Sequence, residues 1–183
     1  MFNQVLNLTK LKLNYKIILI TITSLVLLIL FLTQKEIFFL LTATIVSVII
    51  SLIIRFFEPI KITGVELVTF STILAGSFFG SSVGAVFGIS LLIIHLIIAN
   101  YHGGPYIAWI LPEYALIGVV SGFLTDAKML IVMVVGINVL NSILTLIFYR
   151  ENSGKDFIFS LGNTVFNAVL ILKFFSLITG LPA

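Results

Sequence analysis

Long apolar runs alternate with short polar breaks along almost the whole chain. The runs are Lys16–Thr33, Ile37–Ile54, Glu66–Phe79, Ser82–Ala99, Tyr106–Leu124, Met129–Tyr149 and Phe157–Thr179. Breaks fall at Gln34-Lys35-Glu36, Arg55–Gly64, the glycines around Gly80, Asn100–Pro105, Thr125–Lys128 and Arg150–Asp156. Crossing the hydrocarbon core of a bilayer takes about 20 residues, with a range of about 17–25. The runs are continuous rather than alternating, and an open sheet cannot satisfy its backbone in lipid, so strands are not expected. The pattern predicts an all-α, polytopic transmembrane bundle of six or seven helices. The count turns on Glu66–Ala99, which as one helix would rise about 50 Å at about 1.5 Å per residue, too long for a bilayer without extreme tilt. Two shorter helices joined near Gly80-Ser81-Ser82 are expected, the first short and partly re-entrant. Thr63-x-x-Glu66 has capping-box form, in which Thr63 accepts from the early amides of that helix and Glu66 reaches back to the Thr63 N–H.

Composition agrees with lipid as the solvent. Of 183 residues, 60% are hydrophobic and only 9% charged, against roughly a quarter charged in soluble domains. So few polar side chains cannot cover a water-facing surface. The chain has no cysteine, which excludes disulfides, thiolate metal sites and cysteine nucleophiles. A single integral membrane domain, 1–183, is expected, made of an additional N-terminal helix within 1–36 and a core bundle over 37–183. Lys10, Lys12 and Lys16 ahead of an apolar stretch resemble a signal-peptide n-region. The run Ile17–Leu32 is long for an h-region, however, and Leu30-Phe31-Leu32-Thr33 lacks small residues for cleavage, so a retained helix is expected. The net charge of +3 sits mostly near the N-terminus and argues for membrane topology, not nucleic-acid binding. With seven spans and a cytoplasmic N-terminus, the inner side holds Lys10, Lys12, Lys16, Arg55, Lys61, Arg150 and Lys155, and the outer side Lys35 and Lys128. The positive-inside rule favours that orientation of a multi-pass cell-membrane protein.

Several patterns could carry function. Gly76-x-x-x-Gly80-x-x-x-Gly84-x-x-x-Gly88 and Gly118-x-x-x-Gly122 have the GxxxG spacing that lets helix backbones approach closely. The alternative is a kinked pair whose irregular backbone lines a cavity. Ala43, Ser47 and Ser51 form a second small-residue ladder, able to seat a partner's helix or a neighbour in the same chain. Asn100 to Tyr106, followed by Trp109 and Pro112-Glu113-Tyr114, is the most polar and aromatic stretch between two runs. Tyr and Trp at that place suit the interfacial belt. Glu113 lies well inside an apolar run, where carboxylates are costly and commonly functional. His95, also embedded, suits a hydrogen bond to a neighbouring helix; with Glu113 and His102 it makes no metal site. Asn138 and Asn141, three apart, and Asn163 and Asn167, four apart, each share a helical face. Interhelical hydrogen bonds worth roughly 0.6–2 kcal/mol would explain them, and so would a ligand. Lys173, near a run's end, is expected to snorkel. No nucleophile elbow, zinc-protease pair, phosphate-binding loop or dense acidic cluster is present, so neither an enzyme nor a cofactor is expected.

The stretch from Ala75 to Gly88 and the later Pro112-Glu113-Tyr114-Ala115-Leu116-Ile117-Gly118-Val119-Val120-Ser121-Gly122-Phe123 resemble glycine-bearing helices of the substrate-binding membrane subunits (S components) of energy-coupling-factor vitamin transporters. The likeness covers roughly Ile37 to the C-terminus. It implies a vitamin-like small molecule bound in a cavity closed by interhelical loops, and energy from partner ATPases reached through a membrane coupling subunit. Candidate ligand contacts are then Asn100, Tyr101, Trp109, Glu113, Asn138, Asn141, Asn163 and Asn167, and the Ala43/Ser47/Ser51 ladder would meet the coupling subunit. Two features depart from the family: serine stands where that ladder has alanine, and the family has six spans with both ends inside, so an added N-terminal span inverts the core. More loosely, the chain resembles small membrane subunits of the rod-shape machinery and multi-span sensor modules of histidine kinases. The alternative function is accordingly a non-catalytic scaffold or sensor subunit that docks partner helices.

Overall fold

The computed structural model describes residues 2–101, 104, 106–124, 126–149 and 153–175. His102, Arg150 and the last part of the final predicted run, 176–179, lie outside them. The described residues are mostly helical, with no strand among them: α1 Phe2–Thr33, α2 Lys35–Phe56, α3 Glu58–Lys61, α4 Val68–Phe79, α5 Ser81–Ile98, α6 Ile107–Ser121, α7 Ala127–Phe148 and α8 Ser153–Leu170, which runs on as a π-turn, Ile171–Phe175. Among the described residues, four segments are long and apolar enough to cross a membrane: α2, α5, α7 and Gly154–Phe175. Tyr15–Ile29, α4 and α6 are apolar but shorter.

The chain divides into two compact units, through Phe39 and from Leu40 onward. In the first, the Thr21 and Thr33 hydroxyls bond back to the Ile17 and Ile29 carbonyls at 2.9 and 2.7 Å. These two hydroxyls of the apolar helix are thus satisfied without water, as hydrocarbon requires.

In the second unit α4 is the central element. Every residue from Val68 to Gly76 is buried, so this short helix is surrounded on all sides. Around it pack Leu91 and Leu92 of α5, Tyr114 and Ile117 of α6, Leu130 and Val134 of α7, and Ile171 and Phe175 of the π-turn. The outward faces are aliphatic: Phe157, Leu161, Val165 and Val169 stand exposed at four-residue spacing along α8, and Ile45, Ile49, Leu52 and Ile53 along α2. An apolar exterior around a core that holds polar groups inverts the soluble pattern. Together with the four long apolar segments it marks a membrane protein.

Gly80, at φ +89°, breaks the glycine run into the helical hairpin α4–α5. The four glycines are therefore shared between two helices that fold back on each other, and do not stripe one face. A methyl group at Gly84 would lie 2.6 Å from the Gly76 Cα and 2.5 Å from the Gly118 carbonyl, so three backbones meet at one point. Gly88 is close to the Tyr114 carbonyl and Gly122 to Ser81, which carries the seam along α5 and α6.

One expectation needs correction. The capping box does not form: α4 begins at Val68, and the Thr63 hydroxyl donates to the Ile60 carbonyl at 2.7 Å. Glu66 itself caps the helix from ahead of it, accepting from the Val68 and Thr69 amides. A carboxylate at this end also meets the positive pole of the helix dipole. Of the two readings open for the small-residue ladder of α2, the structure agrees with a neighbour in the same chain. Ser47 and Ser51 are each 1% exposed, Ala43 packs on the core, and Ser51 Oγ lies 2.7 Å from His95 Nδ1 on α5.

Candidate functional site

The loop ahead of α4 reaches α8 through two glycines. Gly64, at φ +68°, sits where a methyl would fall 2.1 Å from the Phe159 carbonyl, and Gly162 where one would fall 1.8 Å from the Thr63 carbonyl. No side chain fits between these backbones, and the left-handed turn at Gly64 suits glycine. This approach brings Glu66, 2% exposed, against Asn163. The Glu66 carboxylate accepts from Asn163 Nδ2 at 2.7 Å, Thr69 Oγ1 at 2.7 Å and the Tyr114 hydroxyl at 3.2 Å, besides the two amides. A buried carboxylate is stable only when held by several donors. Here they come from α4, α6 and α8.

Between this knot and the nearby helix ends lies a cavity of about 270 Å³. Its walls are Lys61 and Glu66 ahead of α4, His95 and Tyr101 at the end of α5, Tyr106 and Tyr114 at and in α6, Asn141, Thr145 and Tyr149 along α7, and Lys155, Asp156 and Phe159 at the start of α8. All three loops at this end contribute. Ser51 Oγ also donates to the Ser47 carbonyl at 2.7 Å; its single hydrogen being spent, His95 Nδ1 carries the proton and donates to it, leaving Nε2 as an acceptor. The His95 and Tyr101 rings lie 5.5 Å apart, and the Lys61 ammonium stands 5.7 Å from the Tyr101 ring centre. The Tyr106 hydroxyl is buried and has no partner among the described residues. A wider groove of about 610 Å³ runs between α7 and α8; its exposed wall is mainly apolar, from residues such as Val139, Leu146, Phe157 and Leu161, with Asn138, Ser142, Ser160 and Thr164 among them, and no charged side chain lines it among the described residues.

The expected site residues separate into groups. Tyr101 and Asn141 line the larger cavity. Glu113, Asn138, Asn141 and Asn163 line a small one of about 20 Å³ beside it. Trp109 stands behind Asn141, donating from Nε1 to its Oδ1 at 3.0 Å while its ring meets Phe148 at 6.0 Å. Asn100 is exposed, takes φ +57° and ends α5, a turn role asparagine fills readily. Asn167 is fully buried and donates to the Asn163 carbonyl at 2.9 Å. The sequence does not single out Thr69, Tyr114, Thr145, Tyr149 and Phe159 as ligand contacts, and suggests Glu66 as one only after its role at a helix start. Glu66 is visible as a carboxylate at a predicted helix start and Tyr114 as part of the polar, aromatic stretch that begins at Asn100; the others lie within apolar runs with no local mark.

No protein-family model, curated protein or solved structure matches this chain.

Proposed function

We propose that the chain is the substrate-binding membrane subunit of a small-molecule transporter, the role played by the S components it resembles. The observation that carries this reading is the unpartnered Tyr106 hydroxyl, buried in the wall of a cavity of about 270 Å³. A buried hydroxyl without a partner costs about 1–3 kcal/mol, and a bound molecule that supplies the partner recovers that loss. Ligand pockets span about 300–1,000 Å³, so the occupant is at the small end. Aromatic rings from Tyr101, Tyr106, Tyr149 and Phe159 suit a flat ring system, and Lys61, Lys155 and Asp156 suit polar or charged substituents.

In this reading α2 and α4–α8 make a six-span core and α1 adds a seventh span. Charge sets the orientation: a cytoplasmic N-terminus puts Arg55, Lys61 and Lys155, and with them the cavity mouth, on the cytoplasmic side. Energy comes from separate ATPases through a coupling subunit. Because Ser47 and Ser51 face inward, that subunit meets another face of the chain. The test is mass spectrometry of the full-length protein purified gently from its native membrane, scoring both released small molecules and co-purifying proteins. Wild type should release one small molecule that the Tyr106→Phe/Asn141→Ala double variant does not, and should carry an ATPase pair. A preparation without small molecules that carries a cell-wall or cytoskeletal complex would establish a scaffold instead.

A further inference from the structure

Glu113 follows Pro112 within α6 and is 6% exposed, and its Oε1 has no hydrogen-bond partner among the described residues. It lines the small cavity of about 20 Å³ that lies among α4, α6, α7 and α8. One water-sized sphere needs about 10–15 Å³ by this measure, so the space admits a single water or a bare monatomic ion.

Most of the polar hydrogens around this cavity are committed elsewhere. Asn138 Nδ2 donates to the Val134 carbonyl at 3.0 Å and to Asn163 Oδ1 at 3.1 Å. Asn163 Nδ2 donates to Glu66 Oε1 at 2.7 Å and to the Gly64 carbonyl at 3.3 Å. The hydroxyls of Thr69 and Tyr114 both point to Glu66 Oε1, at 2.7 and 3.2 Å. What remains at the cavity is a carboxylate, neutral oxygen lone pairs and one N–H of Asn141, whose Nδ2 otherwise donates to Ser160 Oγ at 3.4 Å. No lysine, arginine or histidine among the described residues lines it. A carboxyl group held at membrane depth is neutralised by a proton or by a counter-charge, and as an anion it needs a cation that a water molecule does not supply. Oxygen donors suit hard cations. One carboxylate balances one charge, whereas calcium takes about 6–8 oxygens and magnesium keeps several waters, for which there is no room.

We propose that this cavity binds one sodium ion, with the Glu113 carboxylate as counter-charge and the oxygens of Asn138, Asn141 and Tyr114 completing its shell. Size favours sodium over the larger potassium. Asn141 and Tyr114 also line the larger cavity, so the ion braces two of its walls. That consequence rests on the ligand-binding reading; ion binding does not.

The experiment is equilibrium dialysis of radioactive sodium against the purified full-length protein, paired with thermal melting in sodium, potassium or N-methylglucamine chloride at constant ionic strength. Wild type should bind one sodium per chain saturably, and sodium alone should raise the melting temperature. Glu113→Gln, nearly isosteric, should lose the saturable binding and the rise. Asn138→Ala keeps the charge and should weaken sodium affinity about 10-fold or more, which provides a second variant. Wild type that binds no sodium saturably, or variants that both keep wild-type affinity, would overturn the proposal in favour of a protonated Glu113 beside a water. Neither result bears on whether the larger cavity holds a ligand.

Discussion

Gly118→Ala is the sharpest structural test, because the obstacle to the added methyl is main chain. Its Cβ would lie 2.1 Å from the Gly84 carbonyl carbon, 2.2 Å from that carbonyl's oxygen and 2.4 Å from the Ala85 nitrogen. Ordinary contact begins at 3.4 Å, so α5 and α6 must part by about 1.3 Å there. α5 has no room to give, since Gly84 already lies against Gly76 of α4. Overpacking costs typically about 1–3 kcal/mol, and backbone resistance puts this case near 3. For a chain of this length that is a loss of roughly 6–12 °C in melting temperature, at about 2–4 °C per kcal/mol. Gly136→Ala in α7 is the control, because nothing stands within 4 Å of the new methyl. Alanine's better helix propensity, worth about 0.8–1 kcal/mol, should leave that variant unchanged or slightly more stable. Melting of both variants in one detergent, followed by size-exclusion chromatography, reads the difference directly. If Gly118→Ala melts within about 2 °C of wild type, or if Gly136→Ala falls as far as Gly118→Ala, the three-backbone seam is not what holds these helices together.

Further substitutions probe the polar interior. Glu66→Gln turns an amide NH₂ toward groups that are all donors and should cost about 1–3 kcal/mol in thermal or denaturant unfolding; an unchanged midpoint would mean the carboxylate does not organise α4, α6 and α8. Ser51→Ala removes the partner of His95 Nδ1 and should destabilise by about 1–3 kcal/mol, whereas Ser47→Ala, whose hydroxyl has no partner, should be neutral or better. Equal losses in the two serine variants would contradict the inward bond. Tyr106→Phe removes an unpartnered buried hydroxyl and should leave the ligand-free protein as stable as wild type or up to about 1–3 kcal/mol more stable while abolishing ligand retention; a variant that retains its small molecule would show that the hydroxyl does not touch it.

Much of this architecture was legible from hydropathy alone, because lipid imposes a simple rule: apolar runs become helices and polar breaks become their ends. The break at Gly80 was readable for the same reason, a rise too long for one span and a glycine to turn on. The partners of the glycines were not, since spacing identifies a close approach but not which helices make it. The Asn138/Asn141 and Asn163/Asn167 faces were visible as pairs, yet what they meet depends on Gly64 and Gly162, two glycines outside any repeat. Glu66 shows the limit most plainly. Its spacing from Thr63 suggested a local cap, but its donors Tyr114 and Asn163 stand 48 and 97 residues away, and no local pattern encodes them. The cavity residues Tyr106, Thr145 and Tyr149 sit at the ends of apolar runs, where an aromatic or hydroxyl reads equally well as part of the interfacial belt.

The native chain has no cysteine, so Thr145→Cys, in the cavity wall and 2% exposed in the wild type, places a single thiol where the proposed ligand sits. Labelling by a membrane-impermeant maleimide in sealed right-side-out and inverted vesicles measures both access and occupancy. The thiol should react from the cytoplasmic face, and small molecules released from wild-type protein should slow that reaction. A thiol that reacts from neither face, or whose rate those molecules leave unchanged, would contradict a water-reached binding cavity inside the bundle.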